Sequence, residues 1–161
     1  MKEMKDSLLR TARAALVPVA ACAVALGGLT AWTASGAAGR PASVTVEDAR
    51  LLVPFGTDDT AAFFRLRNDG DTDDELVGVE VPSARGAMLS RTVVKNGAGT
   101  MRMVHSATVP ARGTLEMSPH ELDVMVSGPP RLRVGDRLPF VLRFRESGEV
   151  RAEAVVVRPG N

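Results

Sequence analysis

Leu138-Pro-Phe-Val-Leu-Arg-Phe-Arg-Glu-Ser-Gly-Glu-Val-Arg-Ala-Glu-Ala-Val-Val-Val157 reads as two strands and the turn between them. Successive strand side chains point to opposite faces, so Phe140, Leu142 and Phe144 share one side while Val141, Arg143 and Arg145 share the other. Glu146-Ser-Gly-Glu149 supplies the backbone freedom a tight turn needs, and Glu149–Val157 follows as the return strand. The same grammar runs back toward the N-terminus through Glu121–Val126, Thr114–Met117, Thr100–His105, Ala87–Val94, Glu75–Val81, Ala61–Arg67 and Ser43–Val53. Turn clusters separate these runs, among them Asn68-Asp-Gly-Asp, Asn96-Gly-Ala-Gly, Pro110-Ala-Arg-Gly and Arg133-Val-Gly-Asp. No stretch after residue 40 sustains a helical period. Short strands at this spacing predict an all-β domain, a β-sandwich or small Greek-key barrel. Leu122, Val124 and Val126 form the core face of their strand, which sends Asp123 and Met125 together to the opposite face.

Residues 1–40 are written in a different style. Lys2, Lys5, Arg10 and Arg13 outweigh Glu3 and Asp6, and no residue from Ala14 to Gly39 is charged. A basic head, an apolar stretch and then small residues are the layout of an export signal. Ser35-Gly36-Ala37 and Gly36-Ala37-Ala38 offer cleavage positions, while the apolar stretch is also long enough to span a bilayer uncleaved. Val19-Ala-Ala-Cys22 has the form of a lipoprotein processing box, but hydrophobic sequence continues past it through Leu29 and Trp32. The expectation is a signal peptide or membrane anchor over 1–40 and a β-sandwich over 41–161. The chain is then extracytoplasmic, secreted or anchored to the outer face of the cytoplasmic membrane, with the membrane as a partner of any uncleaved N-terminal segment.

Composition removes several functions. The 161 residues carry a net charge of +1, of which the head accounts for +2, so the remainder is nearly neutral. With no basic field, no Tyr and one Trp, the domain has nothing to attract or stack nucleic acid. The single cysteine, Cys22, lies in the apolar segment, so the domain lacks disulfides and thiolate chemistry. No nucleophile elbow, phosphate loop or zinc-protease motif is present, which argues against an enzyme. The acidic runs Asp58-Asp59 and Asp71-Thr-Asp-Asp-Glu75 lack calcium-loop spacing and read as solvated loops.

Five methionines, Met88, Met101, Met103, Met117 and Met125, fall between residues 88 and 125. Methionine often fills gaps in a core. Its thioether is also a soft, neutral donor suited to Cu(I) where cysteine is absent. His105 and His120 are the only imidazoles, and alternation sets His105 beside Met101 and Met103.

From about Val44 to Val157 the chain resembles the PCu(A)C family of extracytoplasmic copper chaperones. The matching stretches are Ala61-Ala-Phe-Phe-Arg-Leu-Arg-Asn-Asp-Gly70, Glu75-Leu-Val-Gly-Val-Glu-Val-Pro82, Gly99-Thr-Met-Arg-Met103, Val109-Pro-Ala-Arg-Gly113 and Arg133-Val-Gly-Asp-Arg-Leu-Pro-Phe-Val-Leu-Arg-Phe144. The resemblance implies a cupredoxin-like Greek-key β-sandwich, Cu(I) as the bound metal and a copper-accepting protein of oxidase assembly as partner. The family binds copper through a His, ten residues, a Met, twenty-one residues and a His-x-Met. That spacing falls here on Ser90, Met101 and Asp123-Val-Met125, so both methionines are kept and both histidines are replaced. The implied metal site is Met101 and Met125, with Asp123, Met88, Met103 and His105 as neighbours able to contribute. His120 is also near in sequence. The alternative is a relative that has lost the metal and serves as a binding or assembly module.

Overall fold

A computed structural model describes residues 2–36, 39–54, 59–95 and 98–160. Ala37, Ala38, Asp58, Asn96 and Gly97, which enter the cleavage, acidic-run and turn readings above, lie outside the described residues. The chain forms two compact units, Met1–Gly39 and Arg40–Asn161.

The first unit is one helix, α1 (Lys2–Ala34). Its segment Leu16–Ala34 is 19 residues long, uncharged and exposed, which is long and apolar enough to cross a bilayer. The Thr30 and Thr33 hydroxyls donate back to the carbonyls of Leu26 and Leu29, so these polar groups stay satisfied in an apolar setting.

The second unit has ten strands: β1 (Val44–Leu52), β2 (Asp59–Asn68), β3 (Asp74–Glu80), β4 (Gly86–Lys95), β5 (Ala98–Met103), β6 (Ala107–Val109), β7 (Thr114–Glu116), β8 (Leu122–Ser127), β9 (Arg137–Phe144) and β10 (Gly148–Val157). Hydrogen bonding runs in the order β5-β4-β8-β2-β1-β10-β9-β3-β6, with β7 on β2. β1 pairs β10 in parallel, and the other pairings are antiparallel. The nine runs expected from sequence all contain strands. β6 is the addition, too short at three residues for alternation to show. The expected run Thr100–His105 stops at Met103: the Val104 N–H still donates to the Leu89 carbonyl, but His105 lies in a bend outside the strand.

The core follows the predicted faces. Phe140, Leu142 and Phe144 of β9 are buried with Ala62, Phe64 and Leu66 of β2, and the Phe64 and Phe140 rings meet edge to face with centroids 5.1 Å apart. Ala152 and Ala154 of β10 stand opposite Phe140 and Leu138, so small residues face large ones across the pair.

Two buried polar residues fasten the loops. Asn68 is fully buried: its side-chain oxygen accepts from the Ser43 and Gly70 amides, and its nitrogen donates to the Thr72 and Val109 carbonyls. At Gly70 a Cβ would stand 2.2 Å from the Pro41 carbonyl oxygen, so only glycine fits that close approach.

The acidic run 71–75 departs from the solvated-loop expectation. Asp74 is buried, and its carboxylate accepts from the backbone amides of Glu75, Glu146 and Ser147. Asp73 accepts from the Ala111 amide, and Asp71 takes the Arg40 amide and the Arg112 guanidinium. Loop carboxylates next to unpaired backbone amides satisfy those amides, which is why Asp74 turns inward while Thr72 and Asp73 stay exposed. Burial works to raise the Asp74 pKa, but the Ser147 hydroxyl and the three amides outweigh it and hold the carboxyl below its ordinary value.

Because the folded carboxyl titrates lower than the unfolded one, its contribution is present above the ordinary carboxylate range and is lost as pH falls through the lowered value. Asp74→Ala is expected to destabilise the domain by about 3 kcal/mol at neutral pH. Urea unfolding at pH 7 and below pH 4 checks this, and the gap between variant and wild type is expected to narrow in acid.

Candidate metal centre

β8 connects the core to the opposite face. Leu122, Val124 and Val126 are buried in the core, as their alternation predicts. β2 holds one edge of β8, with Ala61 opposite Met125 and Ala62 opposite Val124. β4 holds the other edge, with Met88 opposite Met125 and Ser90 opposite Asp123. β5 then pairs with β4, setting Met103 opposite Ser90 and Met101 opposite Thr92.

Alternation puts all of these side chains on one face of three adjacent strands. One rung reads Met101–Thr92, the next Met103–Ser90–Asp123, and the third Met88–Met125. Directly opposed residues have Cβ atoms about 5 Å apart. Met101, Ser90 and Met125 therefore lie along one diagonal across the strands, with Asp123 beside its centre. Met88, Met101 and Met103 are exposed and Met125 is half-buried, so four thioethers ring the Ser90–Asp123 pair. Met117 is buried with the core, 3% exposed, and fills it in the ordinary way.

Ser90 and Asp123 are themselves buried, at 4% and 5% exposure. The Ser90 hydroxyl hydrogen-bonds the carboxylate, while Asp123 Oδ1 is buried without a hydrogen-bond partner among the described residues. Burial pushes the Asp123 pKa up, and the Ser90 hydrogen bond only partly opposes it. Sequence alternation assigned Asp123 its face but carried no sign of this depth, and nothing in the sequence marked the Ser90 contact.

The face thus brings together Met88, Met101, Met103, Asp123 and Met125. His105 is exposed at the bend after β5, and His120 is exposed in the Ser118–Glu121 turn before β8; neither lies on the three strands. Among the described residues no three His, Cys, Asp or Glu side chains are grouped to hold a metal. The available donors are soft thioethers, matched to a monovalent d10 ion, with one carboxylate that is not.

Fold and register together define a PCuAC-type β-sandwich. The copper-bound PCuAC domain from PmoF2 is 21% identical, with a TM-score of 0.60, over 73% of this chain and 94% of that one. The Cu(I) form of DR1885 from Deinococcus radiodurans is 33% identical, with a TM-score of 0.60, over 73% and 80% of the two chains. Residues 44–156 match the family described as "Putative lipoprotein LpqE-like", and the chain belongs to that family. "Putative lipoprotein Lxx21020" of Leifsonia xyli subsp. xyli (strain CTCB07) is 34% identical over 105 residues, 64% of this chain and 63% of that protein. The chain thus spans under two thirds of that relative's length.

A carboxyl whose folded pKa is raised favours the folded state most at low pH, and that advantage fades as pH rises through the raised value. Asp123→Asn removes the ionisation and is expected to stabilise the fold by roughly 1 kcal/mol at pH 7. Thermal unfolding at pH 7 and pH 4 tests it: the variant's advantage is expected at pH 7 and largely absent at pH 4.

Proposed function

We propose that this domain carries Cu(I) outside the cytoplasmic membrane and hands it to an acceptor protein, without chemical change to any substrate. One observation carries the reading: four methionines on one face of β5, β4 and β8 surround the two positions aligned with the copper chaperones' histidines. The resemblance assigns the ion to Met101 and Met125, which stand two strands and two rungs apart; Met103 beside Met101 and Met88 opposite Met125 are the thioethers that complete the face. His105 lies outside the strands and is at most a peripheral donor. Copper in the similar PmoF2 and DR1885 structures supports the choice of cargo. A protein of oxidase assembly is the acceptor that the resemblance suggests.

The Ser90–Asp123 hydrogen bond favours a second reading. Ser90 and Asp123, paired with each other, stand where the resembled family has two imidazoles, as expected of a domain that has given up the metal and binds a partner only. Titrating the full chain in detergent with Cu(I), against a competing chelator under reducing conditions, separates the two. A Met101→Leu, Met125→Leu chain is expected to bind on the order of tenfold or more weakly than wild type. Equal binding leaves the second reading standing. Ser90→His with Asp123→His supplies two imidazoles, and a gain in Cu(I) affinity in the same titration is the expected result.

We read α1 as the export segment and the domain as held at the membrane's outer face. The relatives named as lipoproteins favour a lipid on Cys22, the exposed and only cysteine, behind Val19-Ala-Ala. The mass of the membrane-extracted chain tests this: a lipidated chain beginning at Cys22 is expected, and Cys22→Ser is expected to abolish it. An intact, unmodified chain identifies α1 as a spanning anchor instead.

A further inference from the structure

β5 ends the sheet, paired only with β4 among the described residues. An open sheet edge is a template for another strand, and proteins usually blunt such edges. The strands β6 and β7 are three residues each, and Pro110 follows β6. β5 is six residues long and contains no proline or lysine.

The ladder fixes which groups face outward. The Val104 N–H donates to the Leu89 carbonyl, so Leu89–Val104 is a hydrogen-bonded pair. Such pairs alternate along an antiparallel ladder, so Arg102 turns its N–H and C=O toward β4. Met101 and Met103 turn theirs to the open edge. The two residues that carry the exposed thioethers of β5 also offer the unpaired backbone.

The reverse face of the hairpin carries a matching imbalance. Arg102 stands directly opposite Arg91, both are exposed, and neither has an ion pair or side-chain hydrogen bond among the described residues. Like charges directly opposed across strands are destabilising, and a carboxylate placed beside Arg102 on its open side offsets that.

We infer that the acceptor docks by adding a strand to the open edge of β5, with the side-chain pattern soft donor, acid, soft donor. Its two donors, thioether or imidazole, stand beside Met101 and Met103, while its Asp or Glu lies opposite Arg102, on the side away from Arg91. Main-chain hydrogen bonds supply affinity and the alternate side chains supply specificity. This rests on the metal reading of the face. The ion then passes by ligand exchange: each incoming donor forms a bond to copper as one thioether bond from the face breaks, until no methionine of the face, Met125 included, remains bound. Copper stays at +1, and neutral donors require no proton transfer.

The test uses the metal-free full chain in detergent and the peptide acetyl-Val-Thr-Met-Glu-Met-Thr-Val-amide. Binding is expected to slow amide exchange at Met101 and Met103 and leave Arg102, already bonded to β4, unchanged. Lys in place of the peptide's Glu is expected to weaken binding about five- to tenfold, and Arg102→Glu to reverse that preference. Binding without protection of those two amides, or without the charge reversal, overturns the inference. So does a chain that sediments as a dimer with both amides already protected, because a second copy is then the occupant. Docking as expected by a chain that takes up no Cu(I) in the titration above overturns the cargo and leaves the docking intact.

Discussion

The register between β4 and β8 is the constraint on which the face depends. Leu122, Val124 and Val126 are driven into the core by burial, and a strand that sends three alternate residues inward must send the residues between them outward. A slip of one residue would place Asp123 and Met125 in the core and three aliphatic side chains in solvent. At roughly 1.5–3 kcal/mol for each large apolar side chain, that slip is prohibited by the core alone. The position of Met125 opposite Met88 is therefore a by-product of hydrophobic packing on the other side of the sheet. β2 reinforces the register from the far edge of β8, since its own Ala62, Phe64 and Leu66 are fixed in the same core.

Most of this order is written locally. Phe140, Leu142 and Phe144 announce their face by alternation, and the turn between β9 and β10 is marked by Gly148, whose positive φ of 72° suits glycine. Three features escape such reading. β6 is too short to show a period, and it forms because β3 offers it an edge. Asp74 and Asn68 are polar letters in polar loops, and only the folded chain reveals the amides and carbonyls that draw them inward. Depth is the third: alternation gives a side chain's direction but not what covers it, so the burial of Ser90 and Asp123 is invisible in sequence. His105 shows the converse error, where alternation was extended past the residue at which the strand stops.

Ser90 and Asp123 each occupy a rung position set by the ladder, so a substitution at either alters the donor chemistry of the face without moving the methionines. The buried carboxylate oxygen left without a hydrogen bond is an electrostatic cost the fold carries in the middle of an otherwise soft surface. A hydrophobic pair of similar size would pack there without that cost. Its persistence at the centre of the face sets this domain apart from a sandwich optimised for stability alone.

The exposure of Met101 and Met103, at 47% and 66%, has a chemical price of its own. Any oxidant that reaches the domain meets these sulfurs directly, and oxidation turns a thioether into a sulfoxide, a polar group with an oxygen donor. Two oxidised residues on β5 would convert the softest part of the face into a hard one and leave the core untouched. Met125, half-buried, and Met117, within the core, would be attacked later. The domain would remain folded while its face aged, so its working lifetime would be set by sulfur chemistry rather than by unfolding.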